Sequence, residues 1–121
     1  MKSYTDIEQS KKLAEILPLE SADMFLAMNG TLPVMSKYID DGLVTADETA
    51  IPCWSLAALM ELIPDIIEDY VLRIDKADSK YFIWYDKIGK GWSGAIVHPS
   101  SENFIDAAFE MIVWLKENNK L

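Results

Sequence analysis

Between Tyr70 and Tyr85 apolar residues recur at every second position on either side of a polar turn, and this pattern narrows the possible folds more than any other. Successive side chains of a strand point to opposite faces, so alternation marks strands buried on one side. Tyr70–Asp75 and Lys80–Asp86 flank Lys76-Ala77-Asp78-Ser79, which reads as the turn of a β-hairpin. Pairing Asp75 with Lys80 sets Ile74 opposite Tyr81, Leu72 opposite Ile83 and Tyr70 opposite Tyr85. One side is then apolar throughout, and a slip of one residue would mix the two sides. The other side carries Val71, Arg73, Phe82 and Trp84. A second turn through 87–91 leads to a third strand, Trp92–Val97, and lets Trp92 join the side of Trp84.

Helices are expected before and after these strands. Thr5-Asp6-Ile7-Glu8 reads as a capping box opening a first helix, with Ile7, Ser10, Ala14 and Leu17 on one face and Pro18 as its stop. Residues 22–28 read as a short strand, and Asn29-Gly30 and Pro33 as breaks in regular structure. A second helix is expected from Cys53 to Ile63, between Pro52 and Pro64. It is apolar nearly all round, the mark of a helix buried on most sides at the centre of a fold. A last helix is expected from Ser100 or Ser101, with Glu102 in its first turn. Its stripe is Phe104, Ala108, Met111 and Leu115, flanked by Ile105 and Ile112 and widened by Phe109, Val113 and Trp114.

The 121 residues suit a single domain spanning 1–121, with a loop-like insertion at about 29–50. In that insertion Asp40-Asp41-Gly42 and Asp47-Glu48 lack the D-x-D-x-D-G spacing of a calcium loop, so a solvated acidic loop is expected. Half the residues are hydrophobic and 26% are charged, which excludes a disordered chain. A single cysteine excludes a disulfide scaffold and a cysteine-based zinc cluster. The net charge of −9 argues against a broad basic face for nucleic acid. No apolar segment follows Lys2 as a signal peptide would require, and no run of apolar residues approaches a membrane span. A cytoplasmic chain with no membrane contact is expected.

Three segments carry a resemblance: EQSKKLAEILPLESADM from Glu8, IPCWSLAAL from Ile51, and DAAFEMIVWLKENN from Asp106. In this order they resemble a group of small uncharacterised proteins from gut Bacteroidales and their phages or mobile elements. The resemblance covers about a third of the chain and leaves out residues 25–50 and the hairpin tips. That group has no established activity, so the resemblance implies no catalytic residue.

Among motifs that could carry chemistry, Cys53-Trp54 at the start of a buried helix comes first. A helix N-terminus favours a thiolate, and His98 at a strand end could complete a thiolate–imidazolium pair. A thiol-dependent hydrolase or transferase using Cys53 and His98 is therefore the enzyme alternative. Neither a glutamine before the cysteine nor an asparagine placed to orient His98 accompanies the pair. Core packing of the cysteine is the preferred reading. His98 has no second histidine to share a metal, and Asp65, Glu68 and Asp69 lie in a connection where solvated acids are the ordinary finding. No metal and no cofactor is expected.

Phe82, Trp84 and Trp92 with Arg73 form a group whose composition matches interface hot spots. Either the first 35 residues cover this face as a second small core, or a partner does.

Helix, three antiparallel strands and helix is the order of double-stranded-RNA-binding domains. The last helix here opens with Ser-Ser-Glu-Asn rather than with bases facing phosphates, so that activity does not follow. The expectation is an α+β two-layer fold: a three- or four-stranded antiparallel sheet with helices on one face, an α-β-β-β-α core after an N-terminal helix. In function, a non-catalytic protein-binding or accessory module is expected, with a protein partner or a homodimer and no nucleic acid. An acidic mimic of nucleic acid is a third class, which fits the charge but not the hydrophobic content.

Overall fold

A computed structural model of the chain describes residues 2–27, 32–35, 51–88 and 99–121. The fold is α+β, with helices and two antiparallel sheets. The described chain divides into two compact units, Ser3–Ala58 and Leu59–Leu121 with residues 1–2.

In the first unit, helix α1 spans Ile7–Ile16. Its cap is Asp6, one residue later than the expected Thr5. The Asp6 carboxylate accepts from the Gln9 N–H at 2.8 Å, and the Gln9 side chain accepts from the Asp6 N–H at 3.1 Å. Thr5 is turned inward instead. Its hydroxyl lies 2.8 Å from that of Ser10 and accepts from the Trp54 N–H at 3.1 Å, so two buried hydroxyls satisfy each other and a backbone amide.

A 3-10 turn at Leu19–Ser21 leads into strand β1, Met24–Ala27, which pairs antiparallel with β2, Leu32–Met35, and with β3, Ile51–Cys53. The sheet order is β2-β1-β3. Pro33 and Pro52, expected only as breaks, both lie within strands. Each is on an edge strand, where a missing N–H need not interrupt the ladder. Helix α1 packs on β3, and Leu13, Leu17, Ala22, Leu26, Cys53 and Trp54 are buried.

Helix α2 spans Leu56–Leu62, shorter than expected, because β3 claims Cys53 and Ser55 takes the cap position. The Ala58 N–H donates to Ser55 Oγ at 3.2 Å. Of its residues only Leu59 is fully buried, and Ala57 and Glu61 are exposed. The all-round apolar sequence therefore overstates its burial.

In the second unit, β4 (Ile66–Ile67), β5 (Tyr70–Ala77), β6 (Lys80–Lys87) and β7 (Ser100–Ser101) form a four-stranded antiparallel sheet in that order. The hairpin register is Ala77↔Lys80, Ile74↔Ile83 and Leu72↔Tyr85, two residues from the expected pairing. The turn is the pair Asp78-Ser79 alone, at φ 50° and 61°. Positive φ at both positions is the type I′ geometry, whose twist matches that of the flanking strands better than a four-residue turn. A shift of two keeps every side chain on its expected face.

Helix α3 spans Phe104–Glu117 and packs on β6 and β7. It starts later than expected because Ser100 and Ser101 pair with Phe82 and Tyr81 as β7. Ile105, Ala107, Ala108, Met111, Ile112 and Leu115 are buried, with Ile83 and Tyr85 of the sheet. Phe104 stacks on Tyr81 at 5.0 Å between ring centres, which places α3 over the face of Tyr81, Ile83 and Tyr85. The expected strand Trp92–Val97 and the acidic stretch 36–50 lie outside the described residues.

Candidate functional site

The residues singled out from sequence fall in two places. Arg73, Phe82 and Trp84 share one face of the β5–β6 hairpin, with Arg73 directly opposite Trp84. Trp92 lies outside the described residues, as does His98.

Cys53 is the last residue of β3, not the first of a helix, so no helix N-terminus supports a thiolate there. It is fully buried. Burial pushes the thiol up from its ordinary 9.0 to about 12, and the negative charge of Asp23 adds to the shift. Both effects disfavour the nucleophilic form. Asp23 itself is engaged with the next turn of chain: it accepts from the Ser55 N–H at 2.9 Å and from the Ser55 hydroxyl at 2.5 Å. Trp54 Nε1 donates to Ser21 Oγ at 2.9 Å, and Ser21 donates to the Pro18 carbonyl at 2.6 Å. Each polar group around Cys53-Trp54-Ser55 thus holds the entry to α2 in place. The arrangement is that of a structural joint.

The hairpin face is different in kind. Two acids, Asp75 and Asp86, join the expected group. Trp84 retains only 6% exposure, and its Nε1–H donates to Asp75 Oδ2 at 3.1 Å. Its ring lies on the same face as Arg73 and Asp75 and is buried there. Phe82 is half-buried and Arg73 is exposed. Asp86 is buried, with Oδ2 at 3.8 Å from Arg73 Nε, and its Oδ1 accepts no hydrogen bond from the described residues. A buried carboxylate served by one long contact is a costly arrangement to keep. Strand parity alone would have revealed both acids, since residues 75 and 86 share the face of 73 and 84.

Beside this face lies an open strand edge, which the sequence analysis missed. Strand β4 pairs with β5 only at Tyr70 and Val71. The Leu72 N–H still finds a partner on that side, the Asp65 carbonyl at 2.9 Å. By the period of two, the backbone groups of Ile74 and Lys76 point the same way. Among the described residues no strand pairs with β5 there. Residues 73–77 are exposed, and Ile74 keeps 43% of its surface.

Around Asp65, Glu68 and Asp69 the acids are exposed, and two meet lysines: Glu68 with Lys120 at 3.1 Å and Asp69 with Lys87 at 3.8 Å. Among the described residues no group of three histidine, cysteine or acidic side chains could hold a metal ion. Among the same residues no helix is long and apolar enough to cross a membrane. No protein-family model, no curated protein and no solved structure matches the chain.

Proposed function

We propose that this chain is a non-catalytic protein-binding module that works through the β5 side of its four-stranded sheet. The observation that carries this reading is the edge at 73–77, which no strand pairs with among the described residues, with Ile74 exposed and alternating charges around it. Main-chain groups on such an edge recruit an added strand, and the side chains on either face select which strand is accepted. Phe82 and Arg73 extend the contact on one face, where the buried Trp84 holds Asp75 through its indole N–H. The buried, proton-retaining Cys53 weighs against the thiol-hydrolase reading.

A photo-crosslinking residue placed at position 74 of the full chain tests the proposal in cells that produce it. A discrete protein adduct from position 74, absent from the same probe at exposed Lys116 on α3, is the expected result. Equal, diffuse labelling from both positions would overturn the proposal.

A further inference from the structure

We infer that the buried carboxylate of Asp86 is the docking point for an arginine side chain presented by the protein partner. The inference rests on the protein-binding reading and names the chemistry that the partner must carry.

The face of the hairpin opposite α3 is ordered in rows across the strands. Ile66, Val71 and Asp86 form one row, and Arg73 and Trp84 form the next. The ladder runs one pair beyond Asp86, where the Asp69 carbonyl accepts from the Ile88 N–H at 3.4 Å. The period of two then sets Ile88 beside Asp86 on this same face. Ile66 and Ile88 keep 63% and 69% of their surface, whereas Asp86 keeps 6%. Two exposed apolar side chains therefore flank an acid that is itself withdrawn from water.

The fold leaves that acid half served. Arg73 Nε stands 3.8 Å from Asp86 Oδ2, on a side chain more than half exposed, and no described residue donates to Oδ1. A carboxylate held out of water costs stability unless donors serve it, and a cation serves it best. Departures of this kind from the rules of packing are expected at functional positions.

Of the available cations, a guanidinium fits this place. It is less strongly hydrated than an ammonium and presents its N–H groups in one rigid plane. An incoming arginine meets Asp86 Oδ1 as Arg73, held only by its long contact, swings aside into water. Apolar neighbours of that arginine cover Ile66 and Ile88, and this apolar surround keeps water from the new pair. The partner thus carries an arginine between apolar residues.

Titration of the isotopically labelled full chain with acetyl-Leu-Arg-Leu-amide, followed by amide shifts in two-dimensional NMR, tests this. Concentrations up to about 10 mM suit so small a contact. Shifts should centre on Ile66, Val71, Asp86 and Ile88, and acetyl-Leu-Gln-Leu-amide should bind at least about tenfold more weakly. Asp86→Asn should abolish the preference for arginine over glutamine. Arg73→Gln removes the resident cation and should bind the arginine peptide several-fold more tightly. Circular dichroism verifies that each variant is folded. Equal binding of the two peptides overturns the inference, as do shifts centred elsewhere, an Asp86→Asn variant that still prefers arginine, or an Arg73→Gln variant that binds no better than wild type. A chain indifferent to arginine whose position 74 still captures a protein would overturn the arginine contact alone and leave the binding module standing.

Discussion

The indole Nε1–H of Trp84 donates to Asp75 Oδ2 at 3.1 Å, diagonally across the β5–β6 hairpin. That bond joins a buried ring to an acid at the open edge, so the edge is held by a residue whose own surface is hidden. Trp84→Phe keeps most of the ring and loses the donor, and should cost about 1 kcal/mol in urea unfolding. Trp84→Ala removes the buried ring as well and should cost about 3–5 kcal/mol. If the bond accounts for the first effect, Asp75→Ala should add little in the Trp84→Phe background. An alanine variant as stable as wild type would mean that the ring is solvated.

Much of this hairpin was legible in the sequence, and the reason is physical. A period of two is insensitive to a shift of two, so the faces of Ile83, Tyr85 and Trp84 came out right although the register and turn did not. The turn was missed because Asp78-Ser79 lacks the glycine that usually announces positive φ at both positions. Helix boundaries slipped where a serine or threonine had another use. Thr5 pairs with Ser10 inside the first unit, and Ser100 and Ser101 extend the sheet before α3 begins. The pairing of β1 with β3 joins segments separated by a long acidic stretch, and periodicity within a short window carries no record of such a long-range partner. Of the candidate surface, composition revealed the aromatics. The edge itself is a property of which strand stops first, and only the assembled sheet shows it.

Cys53 should behave as a packed side chain. DTNB should react with it only after unfolding, since the group is fully buried and the thiolate is disfavoured. Its titration also predicts a pH dependence. Below about pH 9 the thiol is protonated in both folded and unfolded chains and contributes no slope. Between about 9 and 12 the unfolded chain releases the proton and the folded one retains it, so stability falls by about 1.4 kcal/mol per pH unit. Tyr85, also raised by burial and by Asp65, adds a second loss above pH 10. Cys53→Ala should therefore flatten the stability curve between pH 9 and 10 relative to wild type. Unchanged curvature there would show that the thiol titrates freely in the fold.

Asp86 should be replaceable at no cost to folding. Its carboxylate is buried, with one long contact to Arg73 and an oxygen that no described residue serves. Asp86→Asn removes the charge and keeps the shape, and should leave stability within about 1 kcal/mol of wild type or above it. Arg73→Ala should do the opposite, because it strips the buried charge of that contact, and should cost about 1–3 kcal/mol. If Asp86→Asn instead destabilises the chain by more than Arg73→Ala does, the carboxylate has stronger support than the geometry of this face provides. Chemical denaturation at neutral pH distinguishes the two outcomes.

Ser55 performs two tasks with one hydroxyl: it accepts from the Ala58 N–H at 3.2 Å to cap α2, and it donates to Asp23 Oδ2 at 2.5 Å to tie that cap to the chain entering β1. Ser55→Ala loses both and should cost about 1–2 kcal/mol or more. The informative substitution is Ser55→Asp. Aspartate is as good an N-cap as serine on an ordinary helix. Here it would set a second carboxylate against Asp23 and lose the donor that Asp23 requires. Ser55→Asp should therefore be less stable than Ser55→Ala at neutral pH, reversing the usual order of capping residues. Were Ser55→Asp to match wild type at pH 7, capping alone would explain the serine, and the tie to Asp23 would contribute nothing measurable.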